Sequence, residues 1–458
     1  MLTSTANEDI RTSFWPRVRE FAVPASMIET ATARRLAGDW AGACAAAGFD
    51  IDLNLRAVTR DHGRELVSRV RSDLRALAPD LLRWHLPRIA PDGLLRPGLT
   101  LALARYEAVE GTVHLVARTA PTWADAGQRI SLALWSRSTA DAVRHPHPHP
   151  RPNRRFRLDL HRHLWDAGRV GELPGRSGAG EPSLPSAAGQ LSSSEAELEV
   201  PPGCAVDRWA AEARILLAAE GRSGGGVSVR FGGRHRLVLE LAADDDLLRP
   251  VPTPSAAVVS ALPVLPDAAT WVLPDLQLLR AGAIDADRLH PLVAAALAPG
   301  RAGTGPPRAP DRPGRPRLVE CRGARHRIGL VDGVLAPLDH DPDELRREEL
   351  LVALTGTPLP CLQAIDEAHR RPHCLDGVRE RLVHGDTAGA LAVVEGLLGP
   401  EALLRTGPLR DELEAAALRR VTYGLFRAGL TGPGPARYRP RPSGRDSRNR
   451  RTRPRHAN

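Results

Sequence analysis

The stretch that decides the fold runs from Leu99 to Thr119 and reads LTLALARYEAVEGTVHLVART. It holds two apolar-rich runs, residues 99–107 and 111–119, which are joined across a glycine. A third run, RISLALWSR, follows at residues 129–137. Short apolar runs bounded by turn residues are typical of β-strands. We therefore predict an antiparallel meander of three strands in this part of the chain.

Helical patterns precede this meander. Residues 24–48 predict a helical hairpin, because Gly38 can end one helix in the left-handed conformation and Asp39 can cap the next. A longer helical pattern covers about 61–87. The stretch RLVHGDTAGA at residues 381–390 echoes RLAGDWAGA in the first hairpin. The same helical device is thus predicted once in each half of the chain.

Composition divides the chain into folded regions and linkers. The predicted units are an N-terminal α+β domain at 1–140, a His/Pro/Ser/Gly-rich linker at 141–202, an α+β region at 203–298, a Pro/Gly/Arg linker at 299–317, a hairpin plus helical subdomain at 318–430 and an Arg-rich tail at 431–458. Linkers and tail are too rich in Gly, Ser, Pro or charge to bury a core, so we expect disorder there. The predicted fold class is α+β, with antiparallel hairpins and meanders, helical hairpins and a mostly helical C-terminal subdomain.

The composition excludes several classes of enzyme. All 63 basic residues are arginine, so the chain has no lysine for a Schiff base, a Walker A loop or a kinase strand. A PLP enzyme, a standard P-loop NTPase and a protein kinase are therefore excluded. No glycine-rich dinucleotide motif follows a predicted strand, and the sequence predicts no cofactor.

Cysteine usage and the N-terminal segment indicate a cytoplasmic protein. Five cysteines without any CxxC pair fit reduced thiols better than a disulfide framework. The stretch MLTSTANEDIRTSFWPR contains acids and lacks the apolar run of a secretory signal. The most apolar stretch, SAAVVSALPVLPDAATWVL, is interrupted by two prolines and by Asp267, so no membrane span is predicted.

The densest group of reactive side chains is LDHDPDELRREEL at residues 338–350. Asp339, His340 and Asp341 are candidate catalytic residues, because carboxylates beside an imidazole can move protons. The alternative is a helix start, in which Asp341 is the N-cap and is followed by a proline and two acids. The Asp-Gly pair at 332–333 favours a hairpin that leads into this helix. The helix start accounts for nearly every residue of the group.

A second group lies in CLQAIDEAHRRPHC, residues 361–374. His369, His373 and Cys374 are candidate metal ligands, since histidines four residues apart are a common zinc-binding pair. The proline between them ends the helix, so this site requires the turn to fold back on itself. Cys361 shares a helical face with His369 but lies about 12 Å away, too far to share an ion.

Histidines also alternate with prolines in RHPHPHPRP, at positions 145–149. Alternating prolines favour a polyproline II backbone, which holds these histidines apart. In the following stretch, RFRLDLHRHLW, strand alternation would place Asp159, His161 and His163 on one face. That face is a minor candidate site.

The Arg-rich tail is the clearest physical signal in the sequence. The net charge is +9, of which residues 431–458 supply +8, from nine arginines and one aspartate, and residues 1–430 the remaining +1. Such a tail can attract phosphate backbones or anionic surfaces without reading sequence. The candidate polyanion-binding residues are Arg437, Arg439, Arg441, Arg445, Arg448, Arg450, Arg451, Arg453 and Arg455.

Three functions are open on these grounds. The first is a cytoplasmic, non-catalytic protein-interaction or regulatory protein whose helical hairpins bind partner proteins; the lack of a convergent catalytic constellation favours it. The second is a metal-dependent hydrolase that uses one of the Asp/His/Cys groups. The third is a nucleic-acid-binding protein that acts through the Arg-rich tail.

Overall fold

A computed structural model describes most of the chain. The described residues are 8–109, 111–124, 127–137, 147–179, 200–232, 235–242, 248–251, 255–300, 317–321, 323–355 and 359–430. Several small sheets combine with many helices, which confirms the predicted α+β class. No helix in these ranges is long and apolar enough to cross a membrane. The tail at 431–458 and most of the predicted linker at 299–317 lie outside the described residues.

The apolar runs at 99–137 form the predicted meander within a four-stranded sheet. The first six strands of the chain are β1 (Phe49–Asp52), β2 (Arg88–Ile89), β3 (Leu94–Leu95), β4 (Thr100–Ala108), β5 (Gly111–Thr119) and β6 (Ile130–Trp135). The sheet has the order β1-β6-β5-β4, and both pairs of the meander are antiparallel. Strand β1 joins parallel to β6. It was not predicted from the sequence, because FDID is short and half acidic. Strands β2 and β3 form a separate ribbon.

Five helices pack with this sheet around the largest core. They are α1 (Glu8–Phe21), α2 (Ala25–Leu36), α3 (Trp40–Ala46), α4 (Leu55–Ala76) and α5 (Pro79–His85). The core contains Trp84 of α5 together with inward-facing residues of the meander such as Leu101, Leu115 and Leu132. Every residue of α5 is buried, including Arg83 and His85. Burial of these polar groups is tolerable only where they find partners.

Residues 147–179 fall inside the linker predicted at 141–202, but they pack against the rest of the protein. Phe156 and Trp165 belong to the largest core. The strand predicted over 156–164 is wrong: this segment forms two 3₁₀ helices, Leu158–Leu160 and Arg162–Leu164. The reason is tertiary, because the Trp165 indole N–H donates to the Leu158 carbonyl over 3.0 Å and folds the segment back on itself. A short helix, α6 (Leu173–Ser177), follows.

The next region contains a three-stranded antiparallel sheet. Its elements are α7 (Trp209–Ala219), β7 (Gly225–Arg230), β8 (Arg236–Leu241), β9 (Leu248–Pro250), α8 (Ala256–Ala261), α9 (Asp267–Thr270), α10 (Pro274–Arg280) and α11 (Pro291–Leu297). The predicted helix and hairpin at 206–241 are confirmed, and they enclose a second core around Trp209. Helices α10 and α11 instead contribute Leu278 and Val293 to the largest core.

The C-terminal region begins with a second three-stranded sheet and continues as helices. The elements are β10 (Arg317–Cys321), β11 (Ala324–Val331), β12 (Val334–Pro337), α12 (Pro342–Thr355), α13 (Pro360–Arg370), α14 (Leu375–Val383), α15 (Thr387–Leu398) and α16 (Pro408–Arg427). The predicted turn at 332–333 joins β11 to β12. The predicted helical character after Leu338 is confirmed as well.

The C-terminal helices dock onto the first domain through polar contacts. Arg83 donates hydrogen bonds to the carbonyls of Ala22 at 3.0 Å, of Gln128 at 2.7 Å and of His384 at 2.8 Å. The His384 carbonyl follows α14, so one buried guanidinium joins the two regions. Near the end of α16, the Tyr423 hydroxyl donates to Asp50 of β1.

The two helical hairpins have the same capping geometry at Asp39 and at Asp386. Asp39 Oδ1 accepts from the Gly42 N–H at 2.8 Å, and Asp386 Oδ1 accepts from the Gly389 N–H at 2.9 Å. Each aspartate follows a glycine with positive φ, 79° at position 38 and 87° at position 385. The predicted pair of capped helical hairpins is therefore confirmed.

Asp386→Ala is expected to lower the free energy of unfolding by about 1 kcal/mol, because the first turn of α15 loses its side-chain acceptor. Urea unfolding followed by circular dichroism measures the change. Asp386→Asn is the matched control, since it keeps an acceptor oxygen and should retain most of the stability. Equal losses in the two variants would contradict a capping role.

Candidate functional site

A groove with a cavity volume of about 870 Å³ lies between the first domain and the β7–β9 sheet. Four parts of the chain form its walls: residues 96–100 ahead of and at the start of β4, residues 148–154, strands β7 and β8, and residues 259–264. No single segment of sequence contains the groove. It exists only because the second sheet packs beside the edge of the first.

The proline-rich segment is fixed against the edge strand β4. The Thr100 hydroxyl donates to the His149 carbonyl at 2.6 Å, and the Asn153 N–H donates to the Thr100 carbonyl at 2.8 Å. His147 Nε2 lies 3.0 Å from the Thr119 carbonyl oxygen. An edge strand presents unpaired backbone groups, and this segment supplies partners for them. The histidine- and proline-rich segment is thus one wall of the groove.

Arginine dominates the lining of the groove. The arginines are Arg96, Arg151, Arg154, Arg230 and Arg236, and no aspartate or glutamate is found among the lining residues that the structure describes. Arg230 and Arg236 stand directly opposite each other in the β7–β8 register. Like charges placed opposite each other destabilise a strand pair. The arginine cluster therefore destabilises the protein when no ligand is bound.

The pKa shifts of the groove arginines also indicate that like charges lie close together. Burial, and then the charge of Arg155, lower the pKa of Arg96; burial, and then the charge of Arg236, lower the pKa of Arg230. The nearby Asp267 carboxylate offsets part of this charge at Arg96 and Arg230, but it also accepts two hydrogen bonds of 2.8 Å from Arg155. Arginine keeps its proton in proteins, so the groove carries concentrated positive charge.

Two of the candidate catalytic residues have structural roles. Asp339 accepts from the backbone N–H of Arg327 at 2.7 Å and from its guanidinium at 2.7 Å, and these bonds lower the Asp339 pKa to about 2. Asp341 accepts from the Asp343 N–H at 2.9 Å, at the start of α12. The helix-start interpretation of residues 338–350 thus accounts for Asp341, whereas Asp339 binds Arg327 of β11.

The third candidate, His340, has a different environment. Its ligand nitrogen and the sulfur atoms of Cys321 and Cys361 all lie within 4.8 Å of one another. Both cysteines are fully buried, and the His340 side chain is 4% exposed. Burial, and then a hydrogen bond with Cys321, raise the pKa of the Cys361 thiol to about 11. Sequence analysis did not combine these residues, because Cys321 lies outside both candidate groups and Cys361 and His340 belong to different ones.

The candidate metal ligands at the end of α13 are spread out. His369 is buried, His373 is exposed on the turn, and Cys374 stands at the N-cap of α14. Within the described ranges, these three are not among the residues whose ligand atoms converge within 4.8 Å. A metal site there stays a prediction. The nine arginines of the tail lie outside the described residues.

Asp159, His161 and His163 do not share a strand face. Asp159 accepts from Arg157 at 2.8–3.1 Å, whereas His161 Nε2 lies 3.2 Å from Glu212 Oε2. Arg176 donates to both Glu212 oxygens, at 2.6 and 2.7 Å. These partners outweigh burial and lower the Glu212 pKa to about 2. Asp159 thus pairs with Arg157 and His161 with Glu212, whereas the buried His163 Nδ1 has no hydrogen-bond partner in the described part of the chain.

A comparison with known proteins finds no match for this chain among family models, curated proteins or solved structures. Function is therefore argued from the site itself. Sequence reasoning missed the arginine groove because residues 1–430 are nearly neutral overall, which hides a local cluster. The one available signal was the pair of arginines that flank the predicted hairpin between β7 and β8.

Proposed function

We propose that this protein binds nucleic acid in the arginine groove, through the phosphate backbone and without reading base sequence. The observation that carries the proposal is the lining of five arginines, with no carboxylate among the described residues that form it. It extends to the folded body the nucleic-acid function that the sequence suggested for the tail. The role is binding, not catalysis.

The chemistry of the lining favours phosphate as the ligand. A guanidinium offers a planar fork of N–H donors that matches two oxygens of one phosphate. A phosphate between Arg230 and Arg236 would replace their repulsion with two attractions. Because Arg154 already donates to the Ser260 carbonyl at 2.8 Å, its guanidinium is held at the wall of the groove.

The shape of the groove favours a single strand. The described part of the lining contains no Phe, Tyr or Trp, so binding would depend on phosphate contacts and not on base stacking. Contacts with phosphates set affinity and position but carry no sequence information. A flexible single-stranded backbone can follow a groove walled by four separate segments.

The tail can contribute to binding, and the cysteines bear on the cellular location. The +8 charge of residues 431–458 would add weak phosphate contacts outside the groove. The five cysteines form no disulfide, which supports a reducing, cytoplasmic location.

The double variant Arg230→Gln/Arg236→Gln is expected to weaken binding of a fluorescein-labelled single-stranded oligonucleotide by about 10-fold or more, since charged hydrogen bonds contribute about 1.5–3 kcal/mol each. The slope of log affinity against log salt should fall by about 1.4, or about 0.7 per lost phosphate contact. Fluorescence anisotropy of the full chain, titrated over a range of salt concentrations, measures both quantities.

The matched control is Arg60→Gln/Arg64→Gln, which removes the same charge from an exposed part of α4. It should leave affinity within about 2-fold of the original, because distant exposed charges are screened by salt. A variant with all nine tail arginines replaced by glutamine should still depend on Arg230 and Arg236. Equal losses in the groove and control pairs would show that only net charge matters and would refute the groove.

A protein partner is the second candidate, and one surface favours it. Leu418, Val421 and Leu425 form an exposed apolar stripe along α16, with spacings of three and four residues. Exposed apolar faces of this kind commonly contact other proteins. Proteins retained from nuclease-treated host lysate by the original chain should be lost with Val421→Glu. An identical set retained by both chains would remove this candidate.

A further inference from the structure

We propose that Cys321, His340 and Cys361 bind one zinc ion that fastens the β10–β12 sheet to helix α13. Their three ligand atoms already lie within 4.8 Å of one another. Ligands of a tetrahedral zinc ion, with bonds of about 2.0 to 2.3 Å, are separated by about 3.5 to 3.8 Å. Small side-chain movements are enough to close this cluster around an ion.

The fold brings these ligands together from three elements. Cys321 ends β10, His340 lies between β12 and α12, and Cys361 lies in the first turn of α13. The backbone on both sides of His340 is fixed, by the bonds of Asp339 to Arg327 and by the Asp341 cap. The carboxylates around His340 are therefore positioning residues for the imidazole.

One nitrogen of His340 has no hydrogen-bond partner, and the other lies near a carboxylate. Its Nε2 is buried and has no hydrogen-bond partner, although the side chain is only 4% exposed. Its Nδ1 faces the Glu344 carboxylate at 3.8 Å. A carboxylate on the far nitrogen is the usual partner of a metal-bound histidine. The free nitrogen is thus the one available to the ion.

Charge balance also favours a dication at this position. Binding of Zn²⁺ would release the two thiol protons to solvent and form two Zn–S bonds and one Zn–N bond, with water as the fourth ligand. Two thiolates cancel the charge of the ion, so no net charge is buried. Sulfur and imidazole together select zinc over the hard cations magnesium and calcium.

His326 shapes the cluster without joining it. Its ring stacks on that of His340, with centroids 4.2 Å apart and an angle of 12° between the planes. Nitrogen lone pairs lie in the planes of their rings, and two stacked rings occupy separate, nearly parallel planes, so both cannot point at one ion. His326 therefore packs as a wall beside the ligand.

The surroundings indicate that the ion would stabilise this part of the fold. Among the described residues, the core between this sheet and α13 has five that are buried, Cys321, Ile328, Leu359, Cys361 and Ile365. A core of this size contributes little stability, and small units often depend on a metal. Cys321 and Cys361 are themselves part of the core, so an ion bound to them would link strand to helix at its centre.

The test uses the full chain, purified under reducing conditions in the presence of zinc. Elemental analysis is expected to find one zinc per chain. Replacement by Co²⁺ should give thiolate-to-cobalt charge-transfer absorption and the intense visible bands of a four-coordinate cobalt ion. Cys361→Ser and His340→Gln should each reduce the zinc content to background. Cys374→Ser is the matched control and should keep one zinc, because Cys374 is outside the cluster.

Three results would overturn the proposal. They are background zinc with no cobalt bands, zinc lost in Cys374→Ser but kept in Cys361→Ser, and a disulfide between Cys321 and Cys361 in the reduced preparation. If the ligand variants do not fold, the original chain is stripped by a chelator and titrated with Co²⁺. Charge-transfer absorption that saturates at one cobalt per chain supports the site, and its absence refutes it.

Discussion

Asp275→Ala is expected to lower the free energy of unfolding by about 3–5 kcal/mol, because it leaves a charge buried without its partner. Arg19 donates two hydrogen bonds of 2.8 Å to the two Asp275 oxygens, and both side chains are at most 2% exposed. The Trp84 indole N–H also lies 3.2 Å from Asp275 Oδ1. The substitution therefore leaves the buried Arg19 guanidinium and the Trp84 indole without their carboxylate partner, at the place where α1, α5 and α10 meet.

Urea unfolding of the full chain measures this loss. Asp376→Ala is the matched control: Asp376 also pairs with an arginine, Arg379 at 3.4 Å, but its side chain is 95% exposed. That change should cost less than about 0.5 kcal/mol, since exposed ion pairs contribute little. The double variant Arg19→Met/Asp275→Leu should recover much of the loss, because it buries no unpaired charge. A loss below about 1 kcal/mol for Asp275→Ala would contradict this account.

Acid is expected to destabilise the protein from about pH 6.5 downward, through buried histidines. Burial, and then the charges of Arg88 and Arg83, lower the pKa of His384 to about 3. Burial, and then His161, lower the pKa of His163 to about 2. Each histidine stays neutral in the fold but takes up a proton once unfolded. Stability is therefore constant above the unfolded pKa and falls below it, by about 2 kcal/mol per histidine at about pH 5.

The measurement is the free energy of unfolding between about pH 7.5 and about pH 5. His384→Gln should reduce the slope of the free energy of unfolding against pH by the contribution of about one proton. This holds even if the variant is less stable at neutral pH. His373→Gln is the control, because His373 is exposed. It should leave the pH dependence unchanged. A slope that is the same in the original chain and in His384→Gln would show that His384 is not the titrating group.

Local chemistry was sufficient to predict much of the fold. The meander at 99–137, the hairpin turn at 332–333 and the capped helical hairpins at Asp39 and Asp386 all follow from short-range rules. Each depends on neighbours within a few residues, whether by alternation, by a glycine that accepts positive φ or by a carboxylate that caps a helix. The strand predicted over 156–164 failed because Trp165 supplies a tertiary contact that alternation does not encode.

The sequence by itself determined the α+β class, the absence of lysine chemistry and the placement of the helix start at 338–350. Only the tertiary structure decided which side chains share a site. Arg96 and Arg236 meet in one groove although 140 positions separate them, and His340 meets Cys321 and Cys361 across three elements. The physical reason is that turns and helix caps depend on local backbone geometry, whereas a binding site depends on packing between distant segments. This packing brings together charged and ligating side chains that are far apart in the sequence.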